Sequence, residues 1–265
     1  MLDRLAPPVR GLILDMDGVL WKDDAPIGDL PAVFNHIHAL GLEVALATNN
    51  ATKTAIEYAE KLHAFGVSVK PNRVVTSSEA TADVLARAFP RRGAVFVVGE
   101  NGIISALREK EFAIIVDPED ERPVVAVVCG IDRTLNYQKL RRATLWIRAG
   151  APFYGTNPDK TFPTPLGLVP GAGAILAALE TATDVKPIII GKPSPFMLEL
   201  ASKRMGLTKS DVLVVGDRLE TDIAAGQSMG ARTALLLSGV SSAAEAAAWT
   251  PKPDLIAKDL AELIS

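Results

Sequence analysis

The sequence predicts an α/β fold, a doubly wound parallel-sheet, Rossmann-like core with a second α/β unit inserted into it. Three observations predict this. Short apolar runs recur along the chain, each ending in Gly or a polar residue and followed by a helical pattern. The runs are apolar at successive positions, as strands covered on both faces are. Finally, about 140 residues separate Asn50 from Lys192, far more than one or two crossovers need.

Taken in order, Gly11–Leu14 is the first strand and ends at Asp15. Asp29 caps a helix that holds Pro31 near its start, Val33, Phe34, Ile37 and Leu40 inside, and Gly41 just past its end. Residues 44–47 form the second strand, before Thr48. Thr52 or Thr54 opens the next helix, with Ile56, Ala59, Leu62 and Phe65 apolar and Gly66 at the stop. The insertion is expected over 80–182, which leaves 1–79 and 183–265 as a discontinuous core. Inside it, Ala94–Val98, 113–116 and Val124–Cys129 read as strands, and 117–122 as a solvated loop. A helix over 137–149 is opened by Asn136 and closed by Gly150. Residues 188–190 are expected to return the chain to the core sheet ahead of Gly191 and Lys192. A helix then runs from Ser194-Pro195 to Gly206, and 212–215 and 233–237 supply two more strands.

The 265 residues are 48% hydrophobic, enough for one large or two modest packed domains. The net charge of −3 and the absence of a basic stripe argue against a nucleic-acid partner or a polybasic membrane anchor. No signal peptide precedes the first strand, and no apolar run approaches a membrane span, so a cytoplasmic location is expected. The single cysteine, Cys129, lies in a strand and forms no disulfide within the chain, which fits a reducing compartment. Of the three histidines, His36 and His38 face different ways on one helix and His63 lies on another, so they make no metal site or triad.

In open parallel sheets, ligands bind beyond the carboxyl ends of the strands. Asp15 and Asp17 stand at the first such end, Thr48, Asn49 and Asn50 at the second, Lys192 at another, and Asp217 with Asp222 at another. Asp15 and Asp17 are two apart, the strand period, so one carboxylate is placed to attack while the other handles protons. Paired carboxylates repel, so a cation is expected between Asp15 and Asp217, and an oxygen-only site suits Mg²⁺. Lys192 adds a fixed positive charge. Thr48 offers a hydroxyl, and Asn49 and Asn50 offer backbone N–H groups at a helix start, a cradle for phosphate.

As a set, Asp15-Met-Asp17-Gly-Val-Leu-Trp21, Thr48-Asn-Asn50, Gly191-Lys192-Pro193 and Gly216-Asp217-Arg218-Leu-Glu-Thr221-Asp222 resemble the four motifs of the haloacid dehalogenase superfamily. With Thr156-Asn157-Pro158-Asp159 and Pro170-Gly171-Ala-Gly173, the insertion resembles the class II cap of the NagD-like, 4-nitrophenylphosphatase-type family. The resemblance implies a Mg²⁺-dependent phosphatase acting on small phosphomonoesters. Asp15 would be nucleophile and metal ligand, and Asp17 general acid and base, with its backbone carbonyl on the metal. Thr48 and Asn49 would bind phosphoryl oxygens. Lys192 would steady Asp15 and the phosphoryl group. Asp217 would bind the metal and Asp222 anchor its shell. Asn50, Asn157 and Asp159 are further candidates for phosphate or substrate contact, and dimerisation through the cap is common in the family. Asp17 argues against the dehalogenase branch, where no alkoxide needs a proton. Two other readings stay open: a non-catalytic phosphate-dependent module, which the acid at Asp17 disfavours, and a phosphotransferase. Trp21 is open between lining the site entrance and core packing.

Overall fold

The computed structural model describes residues 1–22, 24–164 and 166–265. They form two compact units. The first holds Met1–Thr48, Ala55–Val75 and Lys192–Ser265, and the second Asn49–Thr54 and Thr76–Gly191.

The first unit opens with β1 (Gly11–Leu14), a short hairpin β2 (Trp21–Lys22) and β3 (Ala25–Pro26), α1 (Leu30–Ala39), β4 (Glu43–Thr48), α2 (Ala55–Ala64) and β5 (Val74–Thr76). In the second unit follow α3 (Ser77–Ala88), β6 (Ala94–Val98), α4 (Asn101–Glu109), β7 (Ala113–Ile115), β8 (Val124–Cys129), α5 (Tyr137–Arg148), β9 (Phe153–Gly155), a hairpin β10 (Thr161–Thr164) and β11 (Gly167–Pro170), α6 (Ala172–Thr183) and β12 (Ile188–Ile189). The chain then completes the first unit with α7 (Phe196–Met205), β13 (Val212–Gly216), α8 (Ala224–Met229), β14 (Arg232–Leu236), α9 (Ala243–Ala248), β15 (Leu255–Ala257) and α10 (Leu260–Ile264).

The core sheet runs β15-β14-β13-β1-β4-β5, and the pairings from β15 to β4 are all parallel. β1 lies at its centre and is buried along its whole length. Its register sets Leu14 beside Val215 and Leu46, which brings three strand ends level. The two-residue period sends Leu12 and Leu14 into one apolar cluster with Leu30, Val33 and Ile37 of α1 and Leu263 of α10. Ile13 points to the other face, where α7 packs on β1 and β4. Truncating Leu12 or Leu14 to Ala in such a setting costs about 2–5 kcal/mol. The predicted caps are made: Asp29 Oδ1 accepts from the N–H of Ala32 at 3.0 Å, and Gly41 and Gly66 leave their helices at positive φ.

The second unit has its own parallel sheet, ordered β12-β9-β8-β6-β7. Phe96, Val98, Val127 and Cys129 pack with Ala143 and Ile147 of α5 and Leu176 and Leu179 of α6. Asn136 caps α5 by accepting from the N–H of Lys139 at 3.0 Å.

Two expectations are corrected. The strand before Lys192 does not belong to the core sheet: Ile188 and Ile189 pair with Tyr154 and Gly155 in the sheet of the second unit. A short apolar run ahead of a glycine reads the same whichever sheet receives it. Nor do Asn49 and Asn50 open a helix. α2 begins only at Ala55, and residues 49–54 form a turn that belongs with the second unit. That turn is fixed by Ser77 Oγ donating to the Asn49 carbonyl (2.7 Å) and Ser78 Oγ to the Ala51 carbonyl (3.0 Å). The second unit comprises Asn49–Thr54 and Thr76–Gly191; the sequence reading places the insertion over 80–182. The β12–β9 pairing carries 183–191 with the second unit, and α3 starts it at Ser77.

Candidate active site

The site of the first unit is built at the carboxyl ends of β1 and β13. Asp15, the residue after β1, is anchored by its N–H to the Val215 carbonyl at 2.8 Å, which continues the sheet register past the strand end. Lys192 is 3% exposed and donates to three oxygens: Asp15 Oδ1 at 2.5 Å, Asp222 Oδ1 at 2.6 Å and the Ala47 carbonyl at 2.9 Å. All three positions of an ammonium are thereby used. Burial alone would lower the Lys192 pKa, but the Asp15 and Asp222 carboxylates outweigh it and hold the ammonium above the usual lysine range.

Asp15, Asp217 and Asp222 bring one carboxylate oxygen each to within 4.8 Å of one another. Burial raises the Asp15 carboxyl well above its ordinary range, with Asp222 and Asp217 adding to it and Lys192 opposing. Asp217 is pushed up to about 6, by burial first and Asp222 second, against the N–H of Val240. The three oxygens differ in what they already hold. Asp222 is engaged at both, by Lys192 and by the N–H of Arg218 at 3.1 Å. Asp217 Oδ2 accepts from Val240 at 2.8 Å, while its Oδ1 is buried and has no hydrogen-bond partner among the described residues.

That orphaned oxygen fits a cation. Three carboxylates and one ammonium leave two negative charges uncompensated, the charge of one divalent ion. The space around Asp217 is kept open by glycines. A Cβ on Gly18, which also takes φ +85°, would stand 2.4 Å from Asp217 Oδ2, and one on Gly239 would stand 1.9 Å from it. Asp15 and Asp217 are the residues able to hold a divalent cation through oxygen, the donor set that suits Mg²⁺.

Asp17 stands apart from this cluster. It is exposed, and its Oδ1 accepts from Trp21 Nε1 at 2.8 Å. Trp21 is thus a buried core residue whose polar edge faces the motif. Thr48 ends β4 and is 2% exposed. Among the predicted residues, Asp15, Lys192, Asp217 and Asp222 are brought together within the first unit.

The other candidates belong to the second unit. Asp159 Oδ2 accepts from Asn157 Nδ2 at 2.7 Å and from Asn49 Nδ2 at 3.2 Å, which joins residues 110 positions apart. Asn157 is buried. Gly171 and Gly173 let α6 close on this turn: a Cβ would stand 2.3 Å from the Asp159 carbonyl and 2.2 Å from that of Pro158. Asn50 is used locally, its Oδ1 accepting from the N–H and hydroxyl of Thr52. Sequence reasoning missed the segment 238–241 behind Asp217, where Val240 and Ser241 donate to that residue. The only signal there is a Ser-Gly pair following a buried strand.

Comparison with known proteins gives the family. Residues 12–113 match the family described as haloacid dehalogenase-like hydrolase, and residues 189–263 a second family described as HAD-hydrolase-like. An acid sugar phosphatase from Staphylococcus aureus is 36% identical over 256 residues, 97% of each chain. Among solved structures, a p-nitrophenyl phosphatase from Archaeoglobus fulgidus superposes with TM-score 0.89 at 32% identity, over 97% of this chain and 99% of that one. NagD from E. coli K-12 gives 0.87 at 33%, over 96% and 98%. A glycerol phosphate phosphatase from Mycobacterium tuberculosis, solved in complex with magnesium, gives 0.89 at 33%, over 96% of this chain and 76% of that one. With its four motifs, its two-unit fold and these relatives, the chain belongs to the haloacid dehalogenase-like hydrolases, in the group of NagD and the 4-nitrophenylphosphatases.

Proposed function

We propose that the protein is a Mg²⁺-dependent phosphatase that hydrolyses small phosphomonoesters through a phosphoryl-aspartate on Asp15. The observation that carries the reading is the bonding of Asp15. Its Oδ1 is held by a buried ammonium, and it lies beside a carboxylate, Asp217, whose Oδ1 lacks a partner. The phosphatase names of its relatives support the reaction class.

Asp15 attacks phosphorus, and the bond from phosphorus to the leaving oxygen breaks as the new one forms. Asp17 protonates that leaving oxygen, then takes the proton of the water that cleaves the phosphoryl-aspartate. Lys192 opposes the upward shift that burial gives Asp15 and meets charge on the transferring group, and Thr48 and Asn49 supply donors to its oxygens. Mg²⁺, when bound through Asp15, Asp217 and the Asp17 carbonyl, supplies further neutralisation of phosphoryl charge. Asp222 would anchor the metal shell, its own oxygens held by Lys192 and the Arg218 N–H. The second unit serves as a cap that excludes water and contributes Asn157 and Asp159 to substrate selection, with Asn50 holding the turn that carries Asn49. A cytoplasmic location and a homodimer complete the reading. The single, buried Cys129 fits the first, and no described helix is long and apolar enough to cross a membrane.

Inorganic phosphate release from 4-nitrophenyl phosphate and from a panel of sugar and polyol phosphates is the test. Release that requires Mg²⁺ is expected. No release from any of them would point to a phosphate-dependent binding module. Turnover raised by added alcohol without more phosphate would point to a phosphotransferase.

Metal binding should also depend on pH. In the metal-free protein the folded-state pKa of Asp217 lies above its unfolded value, so stability falls as pH rises from about 4 through about 6. Mg²⁺ needs that carboxylate ionised. Its apparent affinity at about pH 5 is therefore expected to be about tenfold weaker than at about pH 7.5, with a smaller gain in Tm. Equal gains at both pH values would show that Asp217 does not hold the ion.

A further inference from the structure

We infer that Trp21 is a positioning residue for proton transfer. Its indole N–H fixes the Asp17 carboxylate by Oδ1, so that Oδ2 is the oxygen that carries the proton to the leaving group. The inference rests on the phosphatase reading above and goes beyond it.

Asp17 sits on a tight loop that is exposed to water and is free of the Asp15–Asp217–Asp222 cluster. A carboxylate there has two equivalent oxygens and a rotating Cβ–Cγ bond, and nothing in the motif itself chooses between them. The bond from Trp21 Nε1 to Oδ1, at 2.8 Å, removes that freedom. An oxygen accepting an N–H is a poor place for an acid proton, because the indole has only a donor to offer. The proton of the acid form is left to Oδ2.

The donor is itself held in place. The Trp21 ring is 1% exposed, stacks on Tyr58 with centroids 6.4 Å apart at 12°, and leans on Phe65 at 6.0 Å. Lys61 Nζ lies 4.6 Å from its centroid, a cation over the π face. The backbone closes the same loop: Gly18 N–H donates to the Trp21 carbonyl at 2.7 Å, and Trp21 N–H to that of Met16 at 3.3 Å. A large indole with its only polar atom aimed at the exposed acid is more than packing requires, since Phe would fill the same stack.

The consequence is selective. A 4-nitrophenolate leaves as its anion, whereas the alkoxide of a sugar or polyol phosphate needs the proton. The experiment measures kcat/KM, which covers steps only through phosphoryl transfer to Asp15, for 4-nitrophenyl phosphate and for glycerol phosphate. Wild type is compared with Trp21→Phe, which keeps the stack and loses the N–H. Trp21→His, which restores an N–H on a smaller ring, is the second variant. The expected result is a fall of about tenfold to a hundredfold in Trp21→Phe on glycerol phosphate, and less than about threefold on 4-nitrophenyl phosphate. The inhibition constant of inorganic phosphate should not move, and Trp21→His should recover part of the loss. Phe65→Leu, which loosens the stack and keeps the N–H, is expected to lower Tm while keeping the wild-type ratio of the two substrates. A Trp21→Phe ratio equal to wild type, or an equal loss on both substrates, overturns the inference. If Trp21→Phe does not fold, a Trp21→His variant that loses more on glycerol phosphate than on 4-nitrophenyl phosphate supports the inference, and a ratio equal to wild type overturns it. Wild type without turnover on either substrate defeats the phosphatase reading, and the role of Trp21 falls with it.

Discussion

Replacing Asp15 by Asn is expected to lower phosphomonoester turnover by about 10⁴-fold or more, with the fold intact. The amide keeps an oxygen for Lys192 Nζ, now 2.5 Å from Asp15 Oδ1, but has no carboxylate oxygen with which to attack. Because burial already raises the Asp15 carboxyl, the metal-free variant should melt no lower than wild type at neutral pH. One of the carboxylates around the proposed cation position is gone, so the gain in Tm on adding Mg²⁺ should shrink. Turnover within tenfold of wild type would place the nucleophile elsewhere. Calorimetry with and without Mg²⁺ checks the second half.

Lys192→Met is expected to cost about 10³-fold in kcat/KM and about 3–5 kcal/mol of stability at neutral pH. The methionine fills the stem but leaves Asp15, Asp222 and the Ala47 carbonyl without the donor they share. The pH signs differ between the two proteins. In wild type the folded pKa of Lys192 lies above the unfolded one, so its contribution is complete at neutral pH and fades only in strong alkali. In the variant Asp15 loses the ammonium that opposes the upward shift from burial, and its folded pKa moves further up. Its deficit relative to wild type should therefore shrink as pH falls towards about 5. Urea unfolding of both proteins across that range decides it. A deficit that does not change with pH would mean that the loss is packing alone.

The sequence made the central features legible where one residue type had one physical reason to be there. Asp29 and Asn136 are caps in the structure because a short polar side chain before an amphipathic run has little else to do. The strands of β1, β4 and β13 were readable because burial on both faces removes the alternation that would otherwise blur them. The acids at their ends followed from the strand ends themselves. What was not legible was partnership across distance. Residues 188–190 look like a core strand, and only the register with Tyr154 and Gly155 shows otherwise. β5 and β15 are three residues each, too short to carry a period. The bond from Asn49 to Asp159 spans 110 positions, and that from Trp21 to Asp17 depends on a ring orientation that spacing does not encode.

The place of β1 has a consequence for the birth of the molecule. Its neighbours are β4, which follows closely, and β13, whose Val212 to Val215 pair with residues about two hundred positions earlier. A ribosome therefore finishes the whole of the second unit, through Gly191, before the strand that completes β1's pairing has been made. Throughout that interval the central, fully buried strand of the core sheet waits with one edge open, exposed to chaperones and to other nascent chains. The inserted unit, whose strands are all local to 94–189, has no such wait. Vectorial synthesis thus sets a sequence of events in which the insert matures first and the first unit last, when β13 and the acids that follow it emerge.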